Sequence, residues 1–174
     1  MKRYIKCARK LNQDNAFSFD PAIRRNYAKR IADPNILSYY VYDPDETVRE
    51  AVASNPHLPP EYMKDLIHDE YSPVRAELAK NPAAPADVLM PLVDDPNEHI
   101  RFCLAHNWSA SPAVLAKLAN SGSGLVLWNL AYNPNTPADT LHSFLSNDRK
   151  LPRHYATHIR TEARKNLRRR GEQI

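Results

Sequence analysis

Glycine, cysteine and long apolar runs are all scarce in this sequence, and each shortage excludes a class of protein. The chain has 3 glycines against 15 prolines, a balance that argues against collagen, β-helices and flexible linkers. The 2 cysteines, Cys7 and Cys103, lie far apart, so we expect neither a disulfide framework nor a zinc cluster. No run approaches the roughly 18 apolar residues of a membrane span, and the basic N-terminus lacks the apolar core of a signal peptide. With 174 residues, we expect a single cytoplasmic domain without membrane contact.

The charged residues are unevenly distributed along the chain. Although the net charge is only +4, residues 1–31 hold nine Lys/Arg against two Asp/Glu, and residues 149–174 hold the same numbers. The intervening residues 32–148 hold six basic and sixteen acidic residues. A chain that is basic at both ends and acidic in the middle indicates charged partners or self-association, and it does not indicate a particular fold.

One sequence pattern recurs four times at a spacing of 26 residues, with copies starting at Val48, Val74, Ile100 and Val126. Each copy begins with apolar residues on one face of a short helix: Val48, Val52 and Ala53; Val74, Leu78 and Ala79; Ile100, Leu104 and Ala105; Val126, Leu130 and Ala131. A second apolar set follows at helical spacing: Met63, Leu66 and Ile67; Leu89, Leu92 and Val93; Leu115, Leu118 and Ala119; Leu141, Phe144 and Leu145. Such a period indicates a solenoid, because helix pairs this short bury a core only when copies stack.

Asparagine and proline separate the two helices of each copy. The first apolar set is always followed by an asparagine, at Asn55, Asn81, Asn107 and Asn133. We expect these residues to end the first helix in the left-handed conformation that asparagine tolerates. Pro60 and Pro112 are predicted in the first turn of the second helix, where a missing N–H is harmless.

The ends of the chain depart from the repeat in a way that is typical of caps. A degenerate copy aligns after a one-residue shift that matches Ile23 to Val48 and Arg24 to Arg49. At the other end, an apolar stripe indicates one longer helix and consists of Tyr155, Ile159, Ala163 and Leu167. The predicted all-α solenoid has an N-terminal cap (1–21), a degenerate repeat (22–47), four repeats (48–73, 74–99, 100–125, 126–151) and a basic capping helix (152–174).

The repeated pattern V-R-x-x-[VL]-A-x-N-P-x-x-P-x-x-x-L-x-x-L-x-x-D resembles that of the leucine-rich repeat variant family, a branch of the HEAT/armadillo-like solenoids. The segments VREAVASNPHLP and VRAELAKNPAAP carry it best, and the resemblance covers roughly residues 22–151. It implies short α-helices alternating with 3₁₀-like helices in a right-handed superhelix, and the family has no shared enzymatic activity that this chain would inherit. The founding members carry an iron–sulfur domain with a cysteine cluster. Because Cys7 stands alone in this N-terminus, we expect no cofactor here.

An aspartate and an arginine recur six residues apart in three successive positions: Asp43 and Arg49, Asp69 and Arg75, Asp95 and Arg101. Because the acid recurs with the arginine, we interpret these residues as a structural ladder between neighbouring repeats and not as a phosphate site. The pattern fails in the fourth copy, where Ser121 and Leu127 take the two positions. The adjoining segment NSGSG predicts either a flexible hinge or a loop of different shape.

Two groups of residues are candidates for partner binding. The first is aromatic and consists of Phe102, Trp108 and Trp128. These rings either anchor a partner or fill space left by the altered fourth copy. The second is basic and consists of Arg160, Arg164, Lys165, Arg168 and Arg169, flanked by Arg153 and Arg170. These cations suit an acidic protein, nucleic-acid phosphates or another copy of the chain, or they form a solvated cap face.

Catalytic and metal-binding chemistry is not indicated anywhere in the sequence. His154 and His158 have a spacing that suits zinc, but no third ligand accompanies them, so we expect no metal site. Phosphate-binding loops and nucleophile motifs are absent as well. We therefore predict a non-enzymatic module that binds a protein partner, with nucleic-acid binding through the basic C-terminal helix as the alternative.

Overall fold

Short helices joined by loops make up residues 18–146 and 148–173, the part of the chain that the computed structural model describes. These residues form eleven α-helices and one 3₁₀ helix. The α-helices are α1 Pro21–Ala28, α2 Pro34–Tyr40, α3 Glu46–Ala53, α4 Pro60–Leu66, α5 Ser72–Lys80, α6 Ala86–Leu89, α7 Glu98–His106, α8 Pro112–Leu118, α9 Gly124–Tyr132, α10 Ala138–Leu145 and α11 Ala156–Arg169; the 3₁₀ helix is Met90–Asp94. Most of the predicted N-terminal cap, with Cys7, lies outside the described residues. Within the described ranges, no helix is both long enough and apolar enough to cross a membrane.

Two compact units divide the chain, one ending at Ala84 and the other starting at Pro85. In the first unit α3 packs between α1 and α5, and α2 and α4 lie against this row. In the second unit α9 packs between α7 and α11, with α8, α10 and the 3₁₀ helix completing the pairs. Each unit thus consists of stacked short helix pairs, which confirms the predicted α-solenoid.

The apolar residues of the repeat form the core, as predicted. All twelve residues of the first sets are completely buried, and most residues of the second sets are buried with them. Ile67 and Leu145 are the exceptions and are half-buried. A loop position also recurs in the core, occupied by Leu58, Ala84, Ala110 and Thr136. Burial of a Val or Leu side chain contributes roughly 1.5–3 kcal/mol, so the repeated positions dominate the stability.

Three of the asparagines between the paired helices do not adopt the predicted left-handed conformation. Asn81, Asn107 and Asn133 have φ values of −64°, −74° and −65° and extended backbone, so that prediction is wrong. Their side chains explain why asparagine stands there. The Asn133 amide donates to the carbonyls of Ala105 (2.8 Å) and Asn107 (3.1 Å), and its Oδ1 accepts from the backbone N–H of Asn135. Helix ends leave carbonyls without an intrahelical partner, and the amide of the next repeat satisfies them.

This asparagine bridge recurs within each unit and, in the second, extends into the terminal helix. Equivalent pairs of bonds to backbone carbonyls are made by Asn55, Asn81 and Asn166. Asn166 lies in α11 and donates to Ala131 and Asn133 at 2.9 Å each. The longer C-terminal helix therefore occupies the position of a further repeat, with Ile159, Ala163 and Leu167 completely buried.

Two details of the repeat differ from expectation. The alternation of α and 3₁₀ helices implied by the resemblance holds at one position, where α6 ends at Leu89 and the 3₁₀ helix Met90–Asp94 continues. Pro91 falls near the start of this segment and cannot donate the hydrogen bond that would continue the α-helix. In the degenerate copy, Ile23 is 38% exposed although it aligns with the buried Val48.

The glycine-containing segment before α9 is a loop held by contacts. Gly124 is buried at the first position of α9, and a Cβ there would lie 2.2 Å from Cδ2 of Tyr155. The side chain of Ser123 caps α9 and also donates to Glu98. Glycine is therefore required at 124 for close packing against the start of the terminal helix.

Candidate partner-binding groove

The arginines of the predicted ladder hold backbone and side chains of neighbouring loops. Arg49 donates to both carboxylate oxygens of Asp69, at 2.6 and 3.1 Å, and to the carbonyl of Asp43 at 2.8 Å. This pair is largely buried, and the Asp69 carboxylate raises the pKa of Arg49 above its ordinary value. Arg75 donates to the carbonyl of Asp69 at 2.5 Å.

Arg101 and Arg24 make related contacts at other positions of this ladder. Arg101 donates to the carbonyl of Asp95, six residues earlier. Arg24 pairs with the Asp43 carboxylate at 2.8 Å, although the sequence pattern did not place it among the ladder residues. The shifted alignment of the degenerate copy, which matches Arg24 to Arg49, was the signal that could have found it.

A groove between α9 and α11 brings several of the candidate residues together. Its lining, which we call the aromatic–basic groove, consists of His106, Trp128, Asn129, Tyr132, Glu162, Lys165 and Arg169. The cavity has a volume of about 400 Å³. Trp128 and Tyr132 lie one turn apart on α9, and Lys165 and Arg169 lie one turn apart on α11. Helical spacing therefore gives the groove one aromatic wall and one basic wall.

The aromatic rings of the groove are supported by neighbours but remain accessible. Trp128 packs against Tyr155 and His158, with ring centroids 6.4 and 6.0 Å apart, and is still 40% exposed. Tyr132 is 44% exposed, and its ring centroid lies 6.2 Å from that of Trp108, which is 55% exposed. Rings that are held from one side and open on the other are suited to contact an apolar side chain of a ligand.

Phe102 occupies the position one repeat before Trp128 and lies beside the groove without lining it. Its ring is half-buried and stacks between His99 and His106, with centroids 6.1 and 6.2 Å apart. His106 in turn lines the groove and contacts the side chain of Asn129 at 3.3 Å.

The basic residues of α11 and Arg170, which follows the helix directly, differ in their surroundings. Lys165 and Arg169 line the groove, and Lys165 pairs with Glu162 at 2.8 Å. Arg164 and Arg168 are exposed elsewhere on the helix, and Arg160 is half-buried. Arg170 donates to the backbone carbonyls of Thr136 and Pro134, and its burial lowers the pKa of its guanidinium. Its structural contacts distinguish Arg170 from the neighbouring cations.

Sequence reasoning missed several groove residues that a positional signal could have found. Tyr132 follows Trp128 by four residues, and His106 follows Phe102 by the same step, so both pairs share a helix face. Extending the aromatic candidates by one helical turn would have added them. The approach of Glu162 to this face had no sequence signal, because it depends on how α11 packs against α9.

Comparison with known proteins identifies the fold. No protein-family model matches the sequence, and no curated protein matches it. The chain is similar to the solved structure of a leucine-rich repeat variant with a novel repetitive protein structural motif, with a TM-score of 0.62 and 22% sequence identity. The similarity covers 87% of this chain and 57% of that one, so the chain spans little more than half the length of that protein. The fold of a leucine-rich repeat variant, expected from the sequence, is thereby shown.

Proposed function

We propose that this protein is a non-enzymatic interaction module whose aromatic–basic groove binds an acidic segment of a partner protein. The observation that carries the proposal is the exposure of Trp128 and Tyr132, 40% and 44%, beside the cation of Arg169 and that of Lys165, which is paired with Glu162. Aromatic and arginine side chains provide most of the binding energy at protein interfaces. A segment with alternating acidic and apolar side chains satisfies both walls of the groove at once.

The distribution of charge favours a protein over nucleic acid. The cations of the groove lie on a single helix, whereas residues 32–148 hold six basic and sixteen acidic residues. A duplex that followed the repeats would be repelled by these acidic residues. Binding of nucleic acid to the terminal helix alone would weaken steeply with added salt, which gives it a distinct experimental signature.

The proposal is tested by selecting ligands from a displayed library of random 12-residue peptides against the purified chain. We expect enriched peptides to combine Asp or Glu with aromatic or aliphatic residues. Trp128→Ala should weaken binding of an enriched peptide about 30-fold, since truncation of an anchor residue removes about 2 kcal/mol. Lys165→Glu should weaken binding about tenfold, because it reverses a charge on the basic wall.

Phe19→Ala is the matched control, because it removes a fully exposed aromatic ring from the other unit. It should leave peptide binding unchanged, and all three variants should keep the wild-type circular dichroism spectrum. Equal peptide affinity in Trp128→Ala and the wild type would refute the assignment of the groove. Binding of a 20-base-pair duplex alone, with an affinity that falls as salt is added, would refute the assignment as well.

A further inference from the structure

Two ladder arginines of the first unit, Arg24 and Arg49, make two kinds of contact each. Arg24 donates to the carbonyls of Ser18 and Phe19 and pairs with the carboxylate of Asp43. Arg49 donates to the carbonyl of Asp43 and pairs with the carboxylate of Asp69, 20 residues further on. Each guanidinium therefore holds the preceding loop through a carbonyl and the following loop through a carboxylate.

Arg101, in the second unit, keeps only the first kind of contact. It donates to the carbonyl of Asp95, but the residue 20 positions further on is Ser121. Among the described residues, no carboxylate forms an ion pair with Arg101. A guanidinium is always charged, and its planar group of N–H donors favours a carboxylate with two oxygens.

Ser121 retains the local role of a ladder aspartate while losing the contact between repeats. Asp43 and Asp69 each accept a hydrogen bond from the backbone N–H two residues later, at 3.0 and 2.9 Å. The hydroxyl of Ser121 does the same for the N–H of Ser123, at 3.3 Å. The loop is thus built as in the other repeats, but the negative charge is missing.

A cavity opens beside Arg101 and Ser121. It has a volume of about 290 Å³, and its polar lining includes Arg101, Lys117, Asn120 and Ser121. Lys117 pairs with Asp94, which also lines the cavity, at 2.8 Å. Because this pair neutralises itself, the uncompensated charge of the cavity is the single positive charge of Arg101. One carboxylate balances it, whereas a phosphate would bring a second negative charge towards Asp94.

We propose that this cavity, the Arg101 cavity, binds a carboxylate that takes the place of the missing ladder aspartate. The guanidinium pairs with the two carboxylate oxygens, and the amide of Asn120 and hydroxyl of Ser121 are available as further donors. The volume lies at the lower end of ligand sites, which suits a small carboxylic acid or one acidic side chain of another protein. The site is independent of the aromatic–basic groove.

The test uses the full chain labelled with ¹⁵N and titrated with acetate, N-acetylglutamate, the capped tripeptide acetyl-Gly-Asp-Gly-amide, inorganic phosphate and acetamide. We expect saturable shifts at the Arg101 Nε–H and the amides of residues 120–122 with the carboxylates. Dissociation constants should be in the millimolar range for ligands this small. A lower dissociation constant for N-acetylglutamate than for the tripeptide identifies a small acid as the natural ligand. A lower constant for the tripeptide identifies an acidic side chain of a protein.

Two substitutions decide whether the carboxylate binds in place of the aspartate. Ser121→Asp supplies a carboxylate 20 residues after Arg101, so it should weaken acetate binding at least tenfold and raise the melting temperature by about 2–6 °C. Arg101→Gln should also abolish binding. Ser109→Asp adds the same charge at an exposed loop position and should leave both properties unchanged. Undiminished binding in Ser121→Asp, tighter binding of phosphate than of acetate, or no saturable shift in the wild type would overturn the proposal.

Discussion

Replacing Asn133 by alanine tests the asparagine bridges that join successive repeats. Asn133 is 1% exposed, and its amide is the donor to the carbonyls of Ala105 and Asn107, which are 0% and 6% exposed. Its Oδ1 accepts from the N–H of Asn135, an exposed residue. The substitution therefore leaves the buried Ala105 carbonyl without this donor. The Asn107 carbonyl loses one of two donors, since it also accepts from the N–H of Ala110 at 3.1 Å, and the N–H of Asn135 remains close to solvent.

The expected destabilisation follows from these two carbonyls. A buried polar group without a partner costs about 1–3 kcal/mol and loss of one ordinary hydrogen bond about 0.5–1.5 kcal/mol, so Asn133→Ala should lower the free energy of unfolding by about 1.5–4.5 kcal/mol. For a chain of this size 1 kcal/mol corresponds to about 2–4 °C, so a loss near 3 kcal/mol lowers the melting temperature by about 6–12 °C. Asn133→Asp keeps Oδ1 but directs an oxygen at the two carbonyls. It should be at least as destabilising at pH 7 and partly recover in acid, where the protonated carboxyl donates one bond.

Urea unfolding followed by circular dichroism at 222 nm measures both effects. Asn26→Ala is the control, because Asn26 is exposed on α1 and should change the stability by no more than about 0.5 kcal/mol. A loss for Asn133→Ala as small as that of the control would refute the reasoning that amides of one repeat satisfy the helix ends of another.

Two further predictions concern the loop before α9 and the cap of α3. Gly124→Ala should destabilise the protein by about 1–3 kcal/mol in a urea titration, since its Cβ would overlap the ring of Tyr155. Gly122→Ala is the control: no atom lies near its Cβ, so the substitution should be neutral or slightly stabilising. Hydrogen bonds from the Thr47 side chain and backbone lower the pKa of Asp45. Its contribution to stability is therefore present above the ordinary aspartate pKa and lost as the pH falls through the lowered value. Asp45→Asn should accordingly flatten the fall in stability between pH 5 and pH 2, and an unchanged acid limb would show that Asp45 contributes nothing.

The helical repeat and its core can be predicted from the amino-acid sequence. The apolar positions at helical intervals and the prolines at Pro60 and Pro112 are local signals, and the structure places nearly all of them as predicted, with Ile67 and Leu145 only half-buried. Local signals suffice because a helix is fixed by residues three and four positions apart. The same reasoning failed for the asparagines, since it considered only backbone conformation and not side-chain bonds to a different repeat.

Contacts between residues far apart in the chain, in contrast, depend on how the helices pack. Asn166 reaches carbonyls 33 and 35 residues earlier in the chain, and no spacing in the sequence indicates this. The convergence of Trp128 with Lys165 and Arg169 depends likewise on how α11 packs against α9. The sequence shows Ser121 as a break in the ladder. That Arg101 consequently lacks a carboxylate partner beside a cavity is seen only from the contacts in the structure. Periodicity states which face of each helix is buried, whereas the surfaces that bind ligands form where different helices come together, and that is set by packing.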